Sequence, residues 1–215
     1  MPEQFNELFD RWAESYDDTV SGSDVEYREV FRNYETILEA IAERSRGVVI
    51  EFGVGTGNLT EKLVQRGLEV FGIEPSQNMR KIARQKLPHV DIKKGNFLSF
   101  PMRTEHVDTI VSSYAFHHLT DEEKEQAIRL YSKILNENGK IVFGDTIFQD
   151  EKAKEAAYLQ AKHNGFHRLA ADLNSEFYTT IPWLEQVLEK YGFTVSFEQM
   201  NDFVWLMEAE KVAYN

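Results

Sequence analysis

The sequence predicts an α/β fold in which a mixed, mostly parallel sheet of seven strands carries helices on both faces. Short apolar runs typical of strands alternate with amphipathic stretches at the spacing of crossover units, which indicates parallel strands. Two further strand-like runs, at 193–199 and 203–209, are joined by a short connection and predict an antiparallel hairpin. A glycine-rich turn directly follows the first strand-like run, which is where sheets of this class bind ligands.

The composition is that of one globular domain spanning 1–215. Hydrophobic residues make up 42% and charged residues 28% of the chain, as in ordinary globular proteins. The formal net charge of −12 argues against a nucleic-acid partner, because phosphate backbones bind to basic surfaces. Cysteine is absent, which excludes disulfides, thiolate metal sites and a cysteine nucleophile. The acidic N-terminus is unlike a signal peptide, and no apolar run approaches the roughly 18 residues that span a bilayer. We therefore expect a cytoplasmic protein with no membrane partner.

Residues 1–45 predict a helical cap that precedes the sheet. Phe5, Leu8, Phe9 and Trp12 are spaced to share one face of a helix over 5–16. A polar stretch at 17–24 separates this helix from a second one over 27–44.

The alternating core is expected at 46–147. Its strands are predicted at 48–52, 69–73, 90–93, 107–112 and 140–145, and its helices at 58–65, 76–87 and 121–135. Residues 148–180 do not fit the alternation and predict a mostly helical insertion that acts as a lid. A helix at about 182–191 then precedes the hairpin, so that 181–215 completes the sheet.

The turn at 53–57 predicts a nucleoside site. Glycines at alternate positions permit positive φ and let a ligand approach the backbone closely. A dinucleotide fingerprint would place its third small residue at position 58, where this chain has Asn58. Glu51, at the end of the strand, would repel a pyrophosphate but attract a protonated amine. Glu74 ends the next strand and can accept from both hydroxyls of a ribose, so it fits either type of nucleoside.

Five motifs follow one another in the order of a known family. They are VIEFGVGTG, GIEPS, KGNFLSFP, VSSYAFHHL and NENGKIVFGD, and the likeness runs over about 3–149. The chain resembles the class I S-adenosylmethionine-dependent methyltransferases, and most closely the small YrrT-like methyltransferases of bacilli. The resemblance implies a Rossmann-like fold, S-adenosylmethionine (SAM) as cofactor, S-adenosylhomocysteine (SAH) as product, and methyl transfer to a small molecule. The alternatives are a protein that binds SAM without catalysis and an NAD(P)-dependent oxidoreductase.

The resemblance also assigns nine residues to cofactor binding. Gly53 and Gly55 would line the methionine moiety, with its amino group held by Glu51 and its carboxylate by Tyr16, while Trp12 could close the pocket. The full set is Tyr16, Glu51, Gly53, Gly55, Glu74, Met79, Asn96, Phe97 and Ser113. Asn96 stands where the family often has Asp, and its carbonyl oxygen can accept the same hydrogen bond from adenine.

Catalytic residues are less clearly indicated. Tyr114 and His117 follow the fourth strand, and His117 is a candidate general base or substrate contact because imidazole titrates near neutral pH. A structural role for the HHL sequence is an equal alternative, and many methyl transfers need no base. We predict no metal site, because adjacent histidines rarely converge on one ion. Arg168 in the insertion could bind an anionic group of a small acceptor or lie on the surface. The protein is expected to be a monomer or a homodimer.

Overall fold

One mixed sheet organises the chain. The computed structural model describes residue 13 and residues 16–102 and 106–212. Within this part of the chain the strand order is β3-β2-β1-β4-β5-β8-β7, and a short β6 pairs with β5 outside that path. The strands are β1 (Val48–Phe52), β2 (Glu69–Ile73), β3 (Asp91–Lys93), β4 (Val107–Ser113), β5 (Leu135–Phe148), β6 (Thr179–Thr180), β7 (Phe193–Gln199) and β8 (Val204–Lys211).

Pairing within the sheet confirms the predicted fold class. β1 to β5 pair in parallel, and β8 runs antiparallel to both β5 and β7, so the C-terminal hairpin lies on a parallel sheet. The two residues of β6 were not anticipated, and they add a parallel pair to the end of β5. The seven predicted strands thus form the main path of the sheet.

Helices flank the strands on both faces. They are α1 (Tyr34–Arg44), α2 (Asn58–Gln65), α3 (Gln77–Lys86), α4 (Asp121–Ile134), α5 (Glu151–His163), α6 (His167–Ser175) and α7 (Ile181–Lys190), with a short helical turn at Tyr16–Asp18 that continues as a π turn over Thr19–Ser23. The predicted insertion is helical, as α5 and α6. Phe5, Leu8, Phe9 and Trp12 of the predicted first helix lie outside the described residues.

The second predicted helix is shorter than expected. The sequence predicts a helix over 27–44, but α1 begins only at Tyr34. Asn33 has the left-handed conformation, with φ of 65°, and this interrupts helical geometry. Before Asn33 the chain forms turns: the carbonyl of Asp24, for example, accepts from the Tyr27 N–H at 3.2 Å. Residues 16–33, called the cap segment below, therefore form turns that cross the end of the sheet.

The alternation of side chains along each strand divides the core into two layers. Val49 packs in one apolar cluster with Ile37 of α1 and Leu63 of α2. Its neighbour Ile50 packs in the other, with Ile128 of α4. Successive residues of a strand point to opposite faces, so near-continuous apolar runs such as VVIEF are what a sheet covered on both sides requires.

Strand order reverses between β1 and β4, and this fixes the position of the main crevice. β2 and β3 lie on one side of β1, whereas β4 and β5 lie on the other. The loops that follow β1 and β4 diverge at this point and leave space beyond the carboxyl ends of the strands. Among the described residues, no helix combines the length and apolar character needed to cross a bilayer.

Candidate functional site

A cavity lies at the predicted crevice and encloses about 550 Å³ of empty space, including its open mouth. We call it the first cavity. It gathers residues from the cap segment, the glycine turn, the ends of β2 and β3 and the loop after β4. Its lining consists of Tyr16, Gly53, Gly55, Glu74, Pro75, Met79, Asn96, Phe97, Ser113, Tyr114, Ala115 and His118. Eight of the nine residues predicted to bind a cofactor lie on this wall, and only Glu51 does not.

The glycine turn has the conformation that its sequence predicts. Gly53, Gly55 and Gly57 have φ of 71°, 58° and 92°, a region that other residues rarely adopt. A β-carbon on Gly55 would meet no atom within 4 Å, so this backbone borders the open cavity. A β-carbon on Gly53 would lie 2.8 Å from Cβ of Ala115. Gly53 thus permits close packing of two loops, and Gly55 leaves room for a ligand.

Glu74 is fixed by the backbone at the end of β2. Its Oε2 accepts from the Gly55 N–H at 2.9 Å, and its Oε1 accepts from the Ser76 N–H at 2.8 Å. The side chain is only 4% exposed and lies on the cavity wall. A carboxylate oxygen has two lone pairs and can accept more than one hydrogen bond. Vicinal hydroxyls of a ribose match this arrangement.

Glu51 lies behind the cavity wall, buried beside α2. Its Oε2 accepts from the Thr60 hydroxyl at 2.6 Å, whereas its Oε1 is buried and makes no hydrogen bond. Burial, reinforced by the charge of Glu74, raises the pKa of Glu51 to about 8 despite the opposing bond from Thr60. A buried acceptor without a donor is costly. A positive charge in the neighbouring cavity would therefore stabilise the ionised form of this buried carboxyl group.

Asn96 presents a donor to the first cavity. Its Oδ1 accepts from the backbone N–H groups of Leu98 and Ser99, both at 2.9 Å. These two bonds fix the orientation of the amide, because a flipped side chain would place its NH₂ against two donors. The NH₂ group is then the part left for a ligand. This arrangement favours a bond donated to a ring nitrogen over the predicted bond accepted from the adenine amine.

The cap segment is attached directly to the glycine turn. Asp17 Oδ1 accepts from the Thr56 hydroxyl at 2.7 Å and from the Asn58 amide at 3.0 Å. The same amide also donates to the Tyr34 hydroxyl at 3.2 Å. Asn58, which breaks the dinucleotide fingerprint, therefore anchors the segment that carries Tyr16 over the cavity.

Tyr114 occupies a strained position at the end of β4. Its φ of 51° is unfavourable for a residue with a β-carbon, and such conformations cost on the order of 1–2 kcal/mol. The conformation directs the ring towards the cap segment, where its centroid lies 5.1 Å from that of Phe31. Tyr114 consequently separates the first cavity from a second one.

The second cavity encloses about 630 Å³ of empty space, again including its mouth. It lies between the cap segment, the loop after β4 and the insertion. Its lining consists of Tyr16, Thr19, Tyr27, Val30, Phe31, Tyr114, His117, His118, Thr146, Asp172, Glu176 and Tyr178. Tyr16, Tyr114 and His118 belong to both linings, so the two cavities share a wall. A ligand in each would therefore approach the other at this wall.

His117 is held between two carboxylates on the wall of the second cavity. Its Nδ1 lies 2.5 Å from Oδ1 of Asp145, and its Nε2 lies 3.1 Å from Oε2 of Glu176. Burial lowers the pKa of His117, but the two carboxylates outweigh it and hold that pKa near 10. An imidazolium with both nitrogens engaged has no lone pair to accept a proton. The geometry therefore disfavours His117 as the predicted general base.

The neighbouring His118 has the opposite character. Burial, together with the positive charge of His117, lowers the pKa of His118 to about 3, so its ring is neutral at physiological pH. His117, His118 and Glu176 each bring one possible metal-ligand atom within 4.8 Å of the others. The adjacent histidines thus converge more closely than the sequence analysis expected. The ion pairs already satisfy His117 without a metal.

Several groups at this site were not anticipated from the sequence. Asp145 is the last residue of the predicted strand 140–145 and lies near the carboxyl end of β5, a usable signal that we did not exploit. Asp172, Glu176 and Tyr27 carried no such signal, because only the folding of the insertion onto the cap segment brings them to the cavity. Arg168 lies elsewhere, with its guanidinium bound to Asp24 and Glu26.

Comparisons with known proteins agree with this architecture. Residues 49–139 match the model of a family described as a methyltransferase domain. The chain is 56% identical, over 98% of its length and 100% of the relative, to an uncharacterized methyltransferase of Anoxybacillus flavithermus. It is 55% identical, over the same shares of both chains, to an uncharacterized methyltransferase of Bacillus cytotoxicus.

Solved structures with little sequence identity have the same fold. The magnesium protoporphyrin IX methyltransferase of Synechocystis PCC 6803 with bound SAH superposes with a TM-score of 0.69 at 14% identity, covering 95% of this chain and 98% of that one. Human N-acetylserotonin methyltransferase in complex with SAM gives a TM-score of 0.64 at 16% identity, covering 86% of this chain and 53% of that one. Relatives more than half identical over nearly the whole chain, together with this fold, show that the protein belongs to the class I S-adenosylmethionine-dependent methyltransferases.

Proposed function

We propose that the protein binds SAM in the first cavity and transfers its methyl group to a small molecule bound in the second. The observation that carries this proposal is the shared wall. Eight residues predicted to hold the cofactor line one cavity, and a second, comparably sized cavity adjoins it at Tyr16, Tyr114 and His118.

The first cavity has the donors and acceptors that SAM requires. Both oxygens of Glu74 are oriented by backbone N–H groups at the end of β2, where the ribose hydroxyls would bind. Gly55 leaves the backbone open for the methionine moiety, and an ammonium in the cavity would favour the ionised form of Glu51 behind the wall. Met79 and Phe97 give apolar surface for the adenine. When bound, SAM supplies an electrophilic methyl group on a sulfonium.

The contribution of the protein is alignment and exclusion of water. Methyl transfer needs an in-line approach of donor and acceptor but no nucleophilic side chain. The strained Tyr114 and the cap segment, which Asp17 attaches to the glycine turn, hold the wall between the cavities in place. Because His117 is already protonated and His118 is only weakly basic, the residues described here favour transfer by proximity over assistance from a histidine base.

The charge of the first cavity argues against a dinucleotide. Within the described part of the chain its lining contains Glu74 but no lysine or arginine, and the acidic Glu51 lies behind it. A pyrophosphate placed here would meet the Glu74 carboxylate and no compensating lysine or arginine of the described lining. The oxidoreductase alternative is therefore less well supported, and the second cavity favours an enzyme over a protein that only binds SAM.

Calorimetry with three nucleosides tests the proposal. SAH and SAM should bind with micromolar dissociation constants or better, whereas NAD should show no heat of binding at the same concentrations. Tight binding of NAD without binding of SAH would refute the assignment. Incubation with SAM labelled at the methyl group, followed by detection of labelled small molecules from a metabolite pool, then separates an enzyme from a binding protein.

A further inference from the structure

Acidic side chains predominate in the lining of the second cavity. Asp172 and Glu176 both lie on it, and no lysine or arginine of the described residues does. Its cationic group is His117, whose ring is bound by Glu176 and by a third carboxylate, Asp145. Acidic groups therefore outnumber basic ones around this cavity.

The arginine that might have received an anion is occupied elsewhere. Arg168 Nη1 and Nη2 each lie 2.8 Å from an oxygen of Asp24, and its Nε lies 3.1 Å from Glu26. These bonds join α6 to the cap segment and leave the guanidinium more than half exposed, outside the lining of the cavity. An anionic acceptor would thus find no compensating charge.

Aromatic rings form the rest of the wall. Tyr16, Tyr27, Phe31, Tyr114 and Tyr178 all line the second cavity. The faces of such rings carry partial negative charge and attract organic cations, most strongly where water is excluded. Rings combined with carboxylates are the surroundings in which a protonated amine is stabilised on all sides.

Asp172 is the carboxylate best placed to receive that amine. Tyr27 donates its hydroxyl to Oδ2 of Asp172, whereas Oδ1 makes no hydrogen bond or ion pair with the described part of the chain. Burial raises the pKa of Asp172 although the Tyr27 bond opposes the shift. A cation at this carboxylate would relieve the cost of burying its charge. Glu176, by contrast, already has His117 as its partner.

From this lining we infer that the methyl acceptor is a small organic amine that enters the second cavity as a cation, with its ammonium held by Asp172 among the aromatic rings. The inference rests on the proposed function for the identity of the acceptor, but the charge preference of the cavity can be measured independently of methyl transfer.

Three probes of equal size and different charge test it. Phenethylamine, 2-phenylethanol and phenylacetate are titrated by calorimetry into the full-length protein, with and without saturating SAH. We expect phenethylamine to bind at least tenfold more tightly than 2-phenylethanol, and phenylacetate to bind more weakly than both. Equal affinities, or a preference for phenylacetate, would overturn the inference without requiring any variant.

Variants then locate the preference. D172N should reduce the affinity for phenethylamine at least tenfold. Its affinity for 2-phenylethanol should stay within threefold of the wild-type value, which would show that the cavity is still formed. E69Q, which neutralises an exposed carboxylate at the start of β2, outside the lining of the second cavity, is the control and should change neither. Retention of full amine affinity in D172N would contradict the assigned role of Asp172. Absence of SAH binding would refute the proposed function, while the titrations without SAH would still decide the charge preference.

Discussion

Substitution of Glu51 by glutamine tests the electrostatic arrangement behind the first cavity. Glutamine has nearly the same shape, and its oxygen can still accept the Thr60 hydroxyl, but it cannot ionise. Glu51 is 1% exposed and has one oxygen without a hydrogen bond. Burial is the main cause of its raised pKa, with the charge of Glu74 adding to it. The variant therefore removes the ability of this buried group to ionise and little else.

The size of the effect follows from that pKa. The pKa of Glu51 rises from the ordinary 4.5 to about 8 on folding. Because one pKa unit is worth about 1.4 kcal/mol, ionised Glu51 costs the folded protein about 5 kcal/mol. Between pH 4.5 and pH 8, Glu51 is protonated to a greater extent in the folded chain than in the unfolded chain. The free energy of unfolding contributed by this group therefore falls as the pH rises from 4.5 to 8. Local relaxation and entry of water reduce the cost, so we expect at least about 2 kcal/mol to be measured.

Urea denaturation followed by circular dichroism at pH 5 to 9 measures this difference. Wild type should lose stability relative to E51Q as the pH rises, and the two profiles should level off above pH 8. E69Q, at an exposed position on β2, should follow wild type. Parallel profiles for wild type and E51Q would refute the argument. In the same pH range the affinity of wild type for SAH should increase as Glu51 ionises, whereas that of E51Q should stay constant.

Four more tests address the glycine turn, Glu74, the cap segment and the buried histidine. Gly55→Ala places a methyl group at the open edge of the first cavity and should weaken SAH binding at least tenfold by calorimetry, whereas Gly67→Ala, with similar φ and similar free space, should not. Glu74→Gln removes the charge and one acceptor proposed for the ribose hydroxyls, and a hydrogen bond to a charged group is worth about 1.5–3 kcal/mol, so the dissociation constant of SAH should rise at least fivefold. Asp17→Ala removes two bonds between the cap segment and the glycine turn and should weaken SAH binding about threefold to tenfold and lower the free energy of unfolding by about 1–3 kcal/mol. Treatment with EDTA should leave the melting temperature unchanged, because His117 is stabilised by carboxylates; a lower melting temperature would instead indicate a metal bound there.

The regular part of the fold was predictable because local signals were consistent along the chain. The bounds of β1, α2, β2 and β7 agree with the prediction. The apolar runs of β1 and β2, for example, end at a glycine and at a charged residue. The first part of the predicted second helix was wrong, because the left-handed conformation of Asn33 depends on its surroundings and leaves little trace in composition.

The first cavity was more predictable than the second. Gly53, Gly55 and Glu74 lie at the ends of adjacent strands, so the topology alone brings them together. Asp172 and Glu176 approach His117 only because the insertion folds back onto the cap segment, more than fifty residues along the chain from that histidine. No periodic pattern specifies such a contact. The cofactor contacts themselves stay predictions until a nucleoside is bound.

The wall that Tyr16, Tyr114 and His118 contribute to both cavities also has a thermodynamic consequence. A side chain that shifts when one cavity fills changes the shape offered by the other, so the two occupancies are energetically linked. Linkage is reciprocal: whatever factor SAH imposes on the affinity for a molecule in the second cavity, that molecule must impose on the affinity for SAH. Release of one product would then change the affinity of the protein for the other. Substitutions in this wall would change that coupling.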